Sequence, residues 1–217
     1  MDAIGTIDPD AIKRHSESVI LRAGGRICEW LPTIECTEAR ELGEIVDRAL
    51  VLNALLQLHF EAPSHIIAEW IKSQSLQSAL SASERAFLEK PTELLAEQEQ
   101  IDLFWYIEAL WAFLWATHLI EDMSFGRCAD PSMASLCPEL QNNEDGAKFR
   151  LRMKLRSYAE LYAMRDLAYR FHWWTFDARL KGQDTGSVSL DSVMERRKAL
   201  EWILDRQLDW DDVPLDT

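Results

Sequence analysis

Between residues 42 and 56, Leu42, Ile45, Val46, Ala49, Leu50, Leu52 and Leu56, with Asn53 among them, recur at three- and four-residue steps. That repeat is one face of a helix. The helix is predicted to open at Thr37 and to end at Glu61-Ala62-Pro63. A second pattern is denser. Residues 101–120 read IDLFWYIEALWAFLWATHLI, and Phe104, Trp105, Ile107, Leu110, Trp111, Phe113, Leu114 and Trp115 leave hardly a polar side. A helix apolar all round is enclosed by others, so a long helix from about Thr92 is predicted at the centre of the fold. Asp102, Glu108 and His118 interrupt the run. Each acid costs about 2.5–3.5 kcal/mol at mid-membrane, so a buried helix is expected and a membrane span is not.

The flanking pattern supplies the other elements. Asp8-Pro9 reads as an N-cap with proline at the first helical position, and Gly24-Gly25 closes that helix over residues 9–23. Residues 26–36, RICEWLPTIEC, alternate around Pro32 and make a connector with room for a short edge strand. Ser64 starts a short helix through Trp70, and Ser81 with Glu84 forms a capping box into Phe87-Leu88, broken by Pro91. Residues 124–146, rich in Asp, Pro, Ser, Asn and Gly, are expected to be irregular and mobile. Residues 149–155, FRLRMKL, alternate with period two and predict a short strand. A second capping box, Ser157 with Glu160, starts a helix to about residue 181, and residues 190–204 form the last one. The fold class is mainly α: a single-domain helical bundle over residues 1–217, built around a central Trp-rich helix, with at most one or two short strands.

Composition sharpens this. Nine tryptophans supply bulky apolar surface, while eight glycines and seven prolines are too few for a sandwich or barrel of many short strands. The acidic N-terminus lacks a signal-like basic start. Cys28 and Cys36, and Cys128 and Cys137, are spaced too widely for zinc ribbons or redox motifs. Free thiols in a cytoplasmic protein are expected.

Charge is unevenly spread. The net of −14 divides into −15 over residues 1–147 and +5 over residues 148–206, with four acids and no base in the last eleven. Such a body repels phosphate backbones, so nucleic acid is a poor partner. A basic protein is the complementary one. On a strand, Arg150, Arg152, Lys154 and Arg156 would share a face and either meet an anion or pair with the domain's own acids.

Catalytic templates are missing: no glycine-rich phosphate loop follows a strand, and neither H-E-x-x-H nor G-x-S-x-G occurs. No metal site and no cofactor is expected. Tyr158, Tyr162, Arg165, Tyr169 and His172 fall along one stripe of the helix from Ser157. With Arg170, Trp173 and Glu195 they could line a ligand pocket, Tyr162, Tyr169, Arg170, His172, Trp173 and Glu195 being its candidate residues. The bland alternative is an aromatic core stripe with polar tips at the surface. Asp166 and Arg170, four apart, should pair. The terminal DWDDVPLDT reads as an acidic tail that packs Trp210 on the body and pairs with nearby arginines.

Arg170-Phe171-His172-Trp173 with Asp177-Ala178-Arg179, Glu195-Arg196-Arg197-Lys198-Ala199-Leu200-Glu201-Trp202, and Asp209-Trp210-Asp211-Asp212-Val213 with Asp216-Thr217 resemble the bacterial domain-of-unknown-function family 4272. Arg14, Ser16, Trp30-Leu31-Pro32 and Glu108-Ala109-Leu110-Trp111 extend the likeness to the N-terminal half. The resemblance implies a bacterial domain spanning nearly the whole chain, and it transfers no catalytic residue. The leading expectation is a binding protein whose acidic surface covers a basic partner in the manner of an immunity protein. An enzyme or small-ligand protein using the Tyr/Arg/His pocket, and a homo-oligomeric structural protein, are the alternatives.

Overall fold

The computed structural model describes residues 7–217, and among them every regular element is helical, with no strand. Asp8 accepts from the Ala11 N–H at 3.0 Å and Pro9 follows it, which starts α1, Pro9–Arg22. The chain then forms α2 (Leu42–His59), α3 (Ser64–Ser73), α4 (Ala82–Leu88), α5 (Glu97–Ala116), α6 (Ala147–Arg152), α7 (Tyr158–Leu180) and α8 (Leu190–Leu204). Packing runs in series: α1 on α7, α7 on α8, α8 on α5 and α5 on α2, while α3 joins α2 to α4. The central position predicted for the Trp-rich helix is therefore correct.

Its enclosure is less complete than the pattern suggested. From Tyr106 onward α5 is mostly buried, but Ile101 and Phe104 are exposed, and of its three tryptophans only Trp115 is buried. The more enclosed helix is α2, buried without a break from Arg48 to Leu56. Its start also differs. Glu41 and Glu44 form the capping box at the true N-terminus, while the Thr37 hydroxyl donates to the Leu204 carbonyl at 2.7 Å and closes the end of α8. Likewise Thr92 forms a short 3-10 turn, and α5 begins five residues later.

The strand over residues 149–155 does not form. Phe149 and Met153 are both buried and Leu151 is 83% exposed, so the inward positions lie four apart, not two. A short run that alternates hides this helical spacing. The four basic residues thus share no strand face: Arg150 pairs with Asp47 across to α2, and Arg156 is buried. Beyond α6 the chain is extended, and the N–H groups of Lys154 and Arg156 donate to the Thr117 and Ala116 carbonyls at 3.1 and 2.9 Å. These bonds satisfy carbonyls that the end of α5 leaves open.

Residues 26–36 form a connector without an edge strand. Residues 124–146 are irregular as expected, with two 3-10 turns, and are tied to the core by buried Phe125, Met133 and Cys137. All four cysteines are free. No described helix is long and apolar enough to cross a membrane.

Candidate functional site

Arg48 opens the unbroken buried stretch of α2 and is 1% exposed. A buried guanidinium requires a carboxylate and filled donors, and α4 supplies them. Glu84, the third residue of that helix and wholly buried, takes both terminal nitrogens of Arg48, and the Ala79 carbonyl takes one of them at 2.7 Å. The same carboxylate accepts from the Ser81 N–H at 2.8 Å, so the capping box legible in the sequence also orients the counter-ion of α2.

The C-terminal strap closes over this pair. Trp210, 4% exposed, places its ring centroid 4.2 Å from the Arg48 guanidinium carbon, and Lys198 Nζ lies 4.6 Å from the same centroid. Phe113 and Trp202 meet the indole with centroids 6.0 Å away. Asp211 anchors the strap to α4, accepting from the Ser83 N–H at 3.0 Å and its hydroxyl at 2.6 Å. Burial alone would raise the Asp211 pKa, but these bonds from Ser83, with help from Ser81, hold it below the usual carboxylate range. The tail packs Trp210 as expected, though Asp211 meets serine and not arginine.

Between α2, residues 78–85 and the strap lies a cleft of about 570 Å³. Glu44, Asp47, Asp209, Asp211 and Asp212 face Arg40, Arg48 and Arg85 across it. Arg40 is committed, bonding the carbonyls of Trp202 and Leu208 and the Glu44 carboxylate. Asp209, Asp211 and Asp212 have no ion-pair partner among the described residues. Two donors at this site also lack an acceptor among the described residues: Arg48 Nε and Trp210 Nε1. Only a few per cent of buried polar groups go without a partner, so two on neighbouring side chains are unusual.

Of the six residues proposed from the sequence, Arg170 and Trp173 meet at one small void and Tyr169 lines a separate cleft. Tyr162 is buried and its hydroxyl donates to the Ile34 carbonyl. Arg170, also buried, pairs with Asp166 at 2.8 and 2.9 Å and donates to the Pro32 carbonyl. The expected i,i+4 pair thus forms, inside the protein. Trp173 is half-buried and lines a 10 Å³ void beside Arg170 and Glu17. His172 is buried, with Nδ1 2.7 Å from an Arg197 nitrogen. A guanidinium can only donate, so this ring nitrogen accepts and carries no proton. Burial, then the Arg197 charge, lowers the His172 pKa to about 4.

Tyr169 lines a shallow space of 230 Å³ shared with Arg165, Arg197, Glu201 and Asp216. Glu195 lies two residues before Arg197, hence on the other side of α8. Its charged neighbours are Lys198, Asp102, Asp191 and Glu108, and burial raises its carboxyl to about 7. The stripe of α7 thus serves mainly to fasten the connector: Tyr158, Tyr162, Arg165 and Arg170 hold main-chain groups of residues 32–37.

Sequence reasoning missed Arg48, Arg40 and Glu84. One signal was available: Arg48 falls at an apolar position of the helical repeat, three residues after Ile45 and four before Leu52. Among the described residues no three His, Cys, Asp or Glu side chains converge to hold a metal ion.

One family model, Domain of unknown function (DUF4272), matches residues 13–213 of the 217. No curated protein and no solved structure matches the chain.

Proposed function

The chain belongs to the DUF4272 family, a domain of unknown function, and from that premise we propose that it is a binding protein for a basic protein partner, with the acid-rimmed cleft at the centre of the contact. The single observation that carries this reading is the cleft itself, where five carboxylates face three guanidinium groups, two of them already engaged by Glu84 and Glu44.

The rest of the exterior agrees in sign. Six arginines are buried against four carboxylates, Glu84, Glu108, Asp166 and Glu201. The solvent-facing charge is therefore more negative than the −14 of the whole chain, and a field of that sign steers cationic surfaces into encounter. Its specific form is an immunity-type cover for a cationic protein in a bacterial cytosol. The test is affinity capture with identification of what is caught. Proteins of pI above about 9, released by salt and missed by bait carrying Asp209→Asn and Asp212→Asn, are expected; salt-indifferent capture of acidic proteins overturns the reading.

Self-association is a second reading, favoured by the exposed Trp30, Phe60, Leu94, Leu151 and Leu180. Light scattering that finds a monomer across the micromolar range removes it.

A further inference from the structure

We infer that the shallow space between α7, α8, the connector and the C-terminal strap binds the carboxylate of a small organic acid, held between the guanidinium groups of Arg165 and Arg197. This site lies apart from the acid-rimmed cleft and does not depend on the partner reading above.

Two buried cations share one carboxylate there. Arg165 Nε and Arg197 Nε donate to opposite oxygens of Glu201, at 2.5 and 3.2 Å, and the three side chains belong to residues that are 7%, 5% and 6% exposed. Arg170 is balanced by Asp166, and His172 carries no charge. Among the buried groups, one positive charge is therefore left without a counter-charge, an arrangement that a protein interior penalises.

The unused donors show where an anion would sit. Arg165 Nη1 donates to the Glu35 carbonyl and the Thr37 hydroxyl, and Arg197 Nη1 serves His172 and the carbonyls of Leu215 and Asp216. Nη2 of each guanidinium donates to nothing among the described residues. Unlike Arg48 Nε, Trp210 Nε1 and Arg170 Nη1, these two nitrogens are not sealed from solvent. Both side chains line the space of 230 Å³, so a ligand seated there can reach them.

Charge and shape select the ligand. Guanidinium groups recognise carboxylate and phosphate through paired N–H bonds, but a single excess charge matches a monoanion. A phosphate dianion would bring a second negative charge against Glu201 and the exposed Asp216, which forms no ion pair among the described residues. The walls suit an apolar body: Tyr169, whose ring centroid is 4.7 Å from the Arg197 guanidinium carbon, with Pro32, Ile34 and Pro214. The space is smaller than the roughly 300–1,000 Å³ of drug-sized sites, so the acid is a small one.

Amide NMR titration at low ionic strength and neutral pH compares benzoate with benzamide, which has the same shape without the charge, and with inorganic phosphate. Benzoate is expected to give saturable shifts at residues 33–34, 165–169, 197–201 and 215–216, benzamide none, and phosphate weaker ones. Arg165→Lys keeps the charge but removes the paired donors, and should weaken benzoate about tenfold, the scale of one hydrogen bond to a charged group. Asp216→Asn removes a negative charge from the rim at an exposed position and should tighten benzoate about two- to fivefold. Melting curves establish that each variant is folded, and Asp216→Asn decides the matter should Arg165→Lys not fold.

No saturable shift at these residues with benzoate, or an equal response to benzamide, overturns the inference. So does benzoate binding that neither variant alters, since the anion then sits elsewhere. Tighter binding of phosphate than of benzoate overturns the assignment to a carboxylate.

Discussion

Arg48 and Trp210, 162 positions apart in the sequence, stack with the guanidinium carbon 4.2 Å from the indole centroid. The end of the chain is thereby seated on a charge buried in the second helix. One contact joins three features that look unrelated along the sequence: an arginine at an apolar helix position, a capping-box glutamate and an acidic tail.

The buried pair makes a direct stability prediction. Arg48→Met leaves Glu84 charged and unpaired in the interior, and removing one partner of such a pair costs about 3–5 kcal/mol. The double variant Arg48→Met with Glu84→Gln should cost clearly less than the sum of the two single changes. Urea denaturation of the three variants measures both.

The helical assignment of residues 147–152 is tested by two neighbours. Phe149→Ala removes a ring that is 2% exposed and should cost about 3–5 kcal/mol. Leu151→Lys alters a side chain that is 83% exposed and should stay within about 0.5 kcal/mol. A strand would have both residues pointing inward and both changes costly, so denaturation midpoints separate the two folds.

How much was legible beforehand follows from the range of the interactions. Local signals held: the Asp8-Pro9 start, the Ser81–Glu84 and Ser157–Glu160 capping boxes and the last helix depend on residues three or four apart. Failures came where a distant partner decided. Thr37 looks like a cap, but its hydroxyl is taken by Leu204. Residues 149–155 look like a strand, yet the buried pair is Phe149 and Met153. Glu195 and His172 sit apart because Arg197, opposite Glu195 on α8, is the residue that meets His172, and that contact between helices has no local signal. The cleft needed the strap to fold back onto α2 and α4, and no local pattern encodes that.

His172 and Glu195 should give opposite pH dependences over overlapping ranges. The folded His172 pKa, about 4, lies below its ordinary 6.5. The unfolded chain therefore binds the proton first, and the stability this residue contributes is full above pH 6.5 and lost as pH falls toward 4. Glu195, raised to about 7 from 4.5, contributes stability that is full below pH 4.5 and lost as pH rises through 7. Relative to the unaltered protein, His172→Gln should gain stability on acidification and Glu195→Gln on alkalinisation. Melting temperatures from pH 4 to 8 report the two signs.

Gly25 is held by its neighbours. A Cβ there would sit 2.7 Å from Ile20 and from the Trp174 ring, both buried, so Gly25→Ala should cost about 1–3 kcal/mol through displaced core side chains. Thermal unfolding measures the loss, and Trp174→Leu should relieve part of it.

The claim on which the functional account turns is that the cleft between α2, α4 and the strap is the working surface. Its most direct test is amide NMR mapping on titration with an acetylated and amidated tetra-arginine peptide, the simplest probe for a basic partner. The account predicts shifts concentrated at residues 40–48, 78–85 and 209–212. Shifts gathered instead around Tyr169, Arg197 and Asp216, or scattered evenly over the acidic exterior, would contradict it.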